Sequence, residues 1–96
     1  MIKILYENDN PLENEEAKAK GYREDVLVFI DNRKYRISVY SLERLVQDVM
    51  HEQEMYSYFQ MPNNLVIVSD IKYEQIMFTV EKLVRGGYFE SLKAME

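Results

Sequence analysis

The residues best equipped for chemistry stand together in one short stretch, His51-Glu52-Gln53-Glu54-Met55, one residue short of a zinc-protease site. In that motif two histidines four apart share a helix face and hold the metal, while the glutamate serves as base. Here Met55 takes the second position. His51 is the only imidazole in the chain, so neither a two-histidine metal site nor a histidine pair can form within one subunit. Ser41, Ser69 and Ser91 lack the strand-turn-helix context of an activated nucleophile, and a Ser-His-acid relay would need His51 to reach one of them from a helix surface. Glu52 and Glu54 are two apart and so point to different helix faces. Asp48 and Glu52 do share a face, the ordinary arrangement of a solvated helix surface. With no cysteine, thiolate, zinc-thiolate and disulfide chemistry are all excluded. Gly86-Gly87 follow a helical pattern instead of preceding one, the wrong end for a phosphate cradle. The expectation is a protein without catalytic, metal or cofactor-binding residues.

What remains is binding. Between Arg44 and Lys72 there is no lysine or arginine, while Asp48, Glu52, Glu54 and Asp70 are acidic. Tyr56 and Tyr58 fall inside this interval, and acids interspersed with tyrosines are what a surface for a cationic protein partner presents. Asp48, Glu52, Glu54, Tyr56 and Tyr58 are therefore the candidate partner-binding residues. A second reading of the neighbouring Met55, Tyr56, Tyr58, Phe59 and Met61 is that they pack beneath the Met61-Pro62-Asn63-Asn64 turn.

The elements that must carry these residues are organised around residues 26–50. Val26-Leu27-Val28-Phe29-Ile30 is apolar throughout, as a central strand is. Residues 34–40 alternate, with Tyr35, Ile37 and Val39 on one side, and Asp31-Asn32 supply a tight turn between the two strands. Ser41 is placed to cap a helix, with Leu42, Leu45, Val46, Val49 and Met50 as its apolar stripe toward the sheet. Ile2, Ile4 and Tyr6 predict an N-terminal strand. Leu65-Val66-Ile67-Val68 predicts a buried strand, with Ser69 or Asp70 capping the next helix; if it lies parallel to the strand at 34–40 in one sheet, the helix between them is a right-handed crossover on one face. That helix carries Tyr73, Ile76, Met77, Val80, Leu83 and Val84 and ends at Gly86-Gly87. Phe89 and Leu92 are placed to pin a last turn. Residues 7–16, with five acids, no base and Pro11, read as a mobile acidic loop; the EF-hand spacing is absent. A short helical turn follows from Glu15 to Gly21. The fold expected is α+β: a two-layer mixed or antiparallel sheet of about four strands with two main helices on one face, in a single domain over residues 1–96 with an acidic loop insertion at 8–23.

Composition sets the compartment. A chain 47% apolar and 30% charged folds as a globule, no apolar run nears the roughly 20 residues of a membrane span, and the N-terminus turns acidic too early for a secretory signal. A cytoplasmic location is expected. Seventeen acids against twelve bases give a net charge of −5, which disfavours nucleic acid and favours basic partners.

Taken together, Tyr35-Arg36-Ile37-Ser38-Val39-Tyr40-Ser41-Leu42, then Met61-Pro62-Asn63-Asn64-Leu65-Val66-Ile67-Val68, then the helix at 73–84, resemble the bacterial polymorphic-toxin immunity proteins of the family called immunity protein 8. The resemblance spans residues 35–92. Members often join strand to helix through Thr-Pro, where this chain has Tyr40-Ser41, and the acidic N-terminal segment has no counterpart. The resemblance implies an α+β protein that binds and blocks a cognate toxin domain, with no catalytic residues to carry over. The alternative role is that of a small homodimeric structural or regulatory protein, to which eight tyrosines and an open sheet edge point.

Overall fold

The computed structural model describes residues 1–95. Strand β1 (Ile2–Tyr6) leads through helix α1 (Pro11–Lys20) into β2 (Tyr22–Ile30) and β3 (Arg33–Ser41). Helix α2 (Leu42–Tyr56), β4 (Leu65–Val68), α3 (Tyr73–Arg85) and a 3-10 turn (Tyr88–Glu90) follow. The four strands form one mixed sheet in the order β1-β2-β3-β4. β1, β2 and β3 are antiparallel neighbours, and β4 runs parallel to β3 with Val39 opposite Val66. The α+β class and the mixed four-stranded sheet are as expected.

The β2-β3 hairpin closes over Asp31 and Asn32, and Asp31 takes the left-handed conformation at φ 54°, which a short polar side chain tolerates. Near its other end the hairpin carries a bulge. Arg23 opposes Val39 and Val26 opposes Ile37, so three steps on β2 match two on β3 and one residue is extra. Without the bulge, residues 23 and 26 would point to opposite faces. With it, both reach the face that carries the main core.

That core is built from Ile4, Val26, Val28, Tyr35, Ile37, Val39, Val66 and Val68 of the sheet, with Ile76 and Val80 of α3. Ala17 of α1 joins it. Phe89 seals the end by packing on Tyr35, with ring centroids 5.1 Å apart, so the terminal turn is pinned as Phe89 and Leu92 led one to expect.

Three elements differ from expectation, each for a physical reason. The helical turn expected from Glu15 to Gly21 starts earlier, at Pro11, so residues 11–16 are helix and not loop: Asn10 caps it by accepting the Glu13 amide at 2.9 Å, Pro11 supplies a helical φ at the first position, and Gly21 ends it at φ 82°. Lys72, which makes no side-chain capping bond, occupies the N-cap of α3 that Ser69 or Asp70 was expected to fill. The third difference is α2. Its Arg44 guanidinium lies 4.7 Å over the Tyr22 ring, which stacks on Tyr40. Tyr40 points away from the face of its neighbour Val39, so α2 lies on the sheet face opposite α3. Only Leu45 of α2 is buried, outside the main core, while Leu42, Val46 and Met50 are 61, 46 and 65% exposed. The stripe that rests on the sheet is Leu45 and Val49; Leu42, Val46 and Met50 form a second stripe along one flank.

These two stripes should separate in denaturant. Leu45→Ala leaves a cavity and should cost about 2–3 kcal/mol, the low part of the buried-leucine range, whereas Val46→Ala should stay within about 1 kcal/mol because half of the side chain already meets water. Urea unfolding monitored by circular dichroism decides between them, and equal losses would reverse the assignment of the faces.

Candidate functional site

Helix α2 is fixed at both ends. Ser41 Oγ accepts the Arg44 amide at 3.3 Å, and Ser57 in left-handed geometry, φ 68°, donates its amide to the Gln53 carbonyl at 2.9 Å. This frame disposes the five candidate residues unequally. Asp48, Glu52 and Tyr56, at i, i+4 and i+8, lie along one side of the helix, with Asp48 and Glu52 half-buried and Tyr56 exposed. Glu54 falls on the far side. Tyr58 lies beyond the helix and is exposed, so the structure brings together three of the five and leaves Glu54 and Tyr58 apart. Tyr56 and Tyr58 do not pack under the following turn. His51 is exposed on the helix surface, and among the described residues no group of three or more histidine, cysteine or carboxylate side chains converges on a metal-sized site.

On its inner flank, Asp48 accepts from Arg44 Nε at 3.0 Å. The same arginine donates to the Lys20 carbonyl at 3.3 Å and covers the Tyr22–Tyr40 pair, whose rings lie 5.3 Å apart at 21°. Burial raises the Tyr40 hydroxyl above its ordinary range, and the carboxylates of Glu24 and Asp48 add to the effect. Glu24 and Asp48 therefore act on one tyrosine from two elements. This connects α2 to a groove of about 330 Å³ between α1 and the bulged part of β2, lined by acids that include Glu7, Glu13, Glu16, Glu24 and Asp25. Glu7 is paired with Arg36, Glu16 with Lys20, and Asp25 with Arg23. Glu13 and Glu24 have no ion-pair partner among the described residues. The result is an acid-rich surface running from the groove, past the Tyr22–Tyr40 pair that Arg44 covers, to Asp48, Glu52 and Tyr56.

Sequence reasoning missed Glu13, Tyr22, Glu24 and Tyr40. The Asn10-Pro11-Glu13 capping signal was legible and would have placed Glu13 on a helix. Nothing local could have paired Tyr22 with Tyr40, because their register depends on the bulge between Arg23 and Val26.

The groove's inner wall is held by Arg23, only 6% exposed. Its Nε donates to Asp25 Oδ1 at 2.7 Å, Nη2 to Asp25 Oδ2 at 3.1 Å and to the Asn8 carbonyl at 3.4 Å, and Nη1 to Asn14 Oδ1 at 2.9 Å. The guanidinium also lies 3.6 Å over the Tyr6 ring. Scans against models of known families, curated proteins and solved structures return no match to this chain.

Asp25 gives this wall a pH signature. Burial acts to raise its carboxyl pKa, but the hydrogen bonds from Arg23 and from the Asn8 amide outweigh burial and hold it below the ordinary range. A depressed pKa favours the charged form in the fold, so the stabilisation is full above the unfolded carboxyl range and is lost as pH falls through the folded value. Asp25→Asn should be less stable than the parent at neutral pH, with the gap closing as pH falls below the ordinary carboxylate range. Urea midpoints across that range test it; a gap of constant size would show that the charge of Asp25 contributes nothing.

Proposed function

We propose that this protein acts by binding another protein rather than by catalysis, and that its partner presents a basic face to the acidic surface just described. The continuity of Glu13 and Glu24 with the Tyr22–Tyr40 pair and the Asp48-Glu52-Tyr56 stripe carries this reading. Carboxylates at the rim steer a cationic partner during approach, and exposed tyrosine supplies rigid contact area once water is expelled. The specific role we infer, from the resemblance of residues 35–92, is immunity: neutralising a cognate toxin domain within the cytoplasm of the cell that makes both. The chain's net charge of −5 favours such a partner and works against nucleic acid.

The decisive genetic observation is a neighbouring gene for a large secreted protein with a toxin-like C-terminal domain. Co-expression of this chain should then rescue growth from that domain. With the purified pair, Asp48→Lys together with Glu52→Lys should slow association about tenfold or more, and raising salt above about 0.15 M should slow the parent complex in the same way. Glu54→Lys, on the far side of the helix, should change association much less. Tyr56→Ala should raise the off-rate about fivefold, the equivalent of about 1 kcal/mol. Stopped-flow or surface-plasmon kinetics read both rates. Absence of binding would end the immunity reading, and charge reversal without effect on association would move the contact elsewhere.

A further inference from the structure

The edge of the sheet at β4 is uncovered, and its backbone alternation is fixed by one bond. The Ser38 amide donates to the Asn64 carbonyl at 3.0 Å. In a parallel ladder with Ser38 opposite Leu65 and Tyr40 opposite Ile67, the groups of β4 that face β3 therefore belong to Asn64, Val66 and Val68. The Leu65 amide turns back to Pro62 O at 3.3 Å. The Leu65 carbonyl and both backbone groups of Ile67 are left pointing outward, with no bond to another backbone group among the described residues.

The two ends of this edge are treated differently. Below β4, the free side of β3 is covered by the C-terminal segment, where the Met95 amide donates to the Lys34 carbonyl at 2.7 Å. β4 itself has no such cover among the described residues, and its sequence Leu65-Val66-Ile67-Val68 contains no charge or proline to discourage pairing. The opposite edge strand, β1, does carry a charge, Lys3.

An apolar strip accompanies the open edge. Arg44 and Asp48 occupy the flank of α2 that faces Tyr22 and Tyr40, toward the sheet interior. Leu42, Val46 and Met50 lie on the other flank, the β4 side. Together with Ile67, 47% exposed on the same sheet face, they form an uncharged strip parallel to the free backbone.

We propose that β4 is the interface for a second copy of this chain. The two strands pair antiparallel about a two-fold axis at Ile67, giving a continuous eight-stranded sheet. Ile67 of each copy exchanges both backbone bonds with its mate, and the Leu65 carbonyl accepts the Ser69 amide across the axis. The pattern is self-complementary, as an isologous interface requires. With no charge in the strip, nothing in it selects a partner of opposite sign. Eight half-exposed side chains hide on the order of 300–500 Å² of apolar surface. With the two backbone edges added, the interface sits near the lower end of the specific class at about 1,000 Å², so the dimer is reversible. The acidic surface on the opposite flank of α2 stays open in both copies, which makes this inference independent of the proposed function.

Sedimentation equilibrium of the purified chain from about 1 µM to 1 mM tests the interface, with concentrations chosen to bracket weak association. The mass should rise from that of the 11.5 kDa chain toward twice that value. Val46→Lys with Ile67→Lys should raise the dissociation constant at least tenfold while leaving the circular dichroism spectrum and melting unchanged. Ile67→Pro, which removes an outward amide and part of the apolar strip but no bond to β3, is the second variant and should act in the same direction. Amide exchange at Ile67 in the parent should slow as concentration rises. A parent that stays monomeric throughout, or a dimer that survives both variants in folded form, overturns the proposal.

Discussion

A guanidinium buried inside a small protein must keep its charge, and each of its donors needs an acceptor. Arg23 meets that demand from three elements at once: its own strand through Asp25, α1 through Asn14, and the chain leaving β1 through Asn8, with the Tyr6 face beneath. Tyr6 in turn meets Tyr73 of α3 edge-on at 6.1 Å, so the arrangement reaches the start of the last helix. A buried ion pair of this kind is a weak source of net stability, because desolvation offsets most of the attraction. Its effect lies in register. Arg23 can face these partners only with the extra residue between it and Val26, so the demand of one charge fixes the bulge, and the bulge fixes which residues of β2 face each way.

From that bulge follows the unequal character of the two sheet faces. One is filled by branched aliphatic side chains under α3, with Val26, Val28, Ile37, Val39, Ile76 and Val80 fully buried. The other is covered by α2 over only part of its width. Ser38 is buried on this second face, whereas Leu5 and Ile67 stay 42 and 47% exposed. The Tyr22–Tyr40 pair sits on this less protected side, and Arg44 joins it there, so polar and aromatic groups meet at the boundary between helix and open sheet.

The strands themselves, the hairpin turn and the burial of α3 were legible because each rests on local pattern: continuous or alternating apolar residues, Asp31-Asn32, and a stripe at helical spacing. What was not legible depended on tertiary choice. The apolar positions of α2 span a wide arc, and periodicity alone cannot say which part of the arc meets the sheet. Leu45 and Val49 do, while Leu42, Val46 and Met50 do not. The acidic segment was misread for a different reason: its composition outweighed a capping signal, Asn10-Pro11 with Glu13, that was present in the sequence. Of the site, the Asp48-Glu52-Tyr56 stripe was readable from spacing, but its continuation to Glu24 and Tyr40 needed the hairpin register.

The two flanks of α2 explain why a helix with so many apolar residues buries so few. A helix resting on a sheet needs only a narrow contact line, which Leu45 and Val49 provide. Its inner flank is tied by Arg44 to Asp48, to the Lys20 carbonyl and to the tyrosine pair, which sets the rotation of the helix about its axis. Once that rotation is set, Leu42, Val46 and Met50 must fall beside β4, and Glu54 must fall away from Asp48 and Glu52. A polar contact on one side of the helix thus determines the apolar surface on the other. The helix separates an acidic, tyrosine-bearing side from an uncharged one, and the two sides lie about a third of a turn apart on a single rigid element.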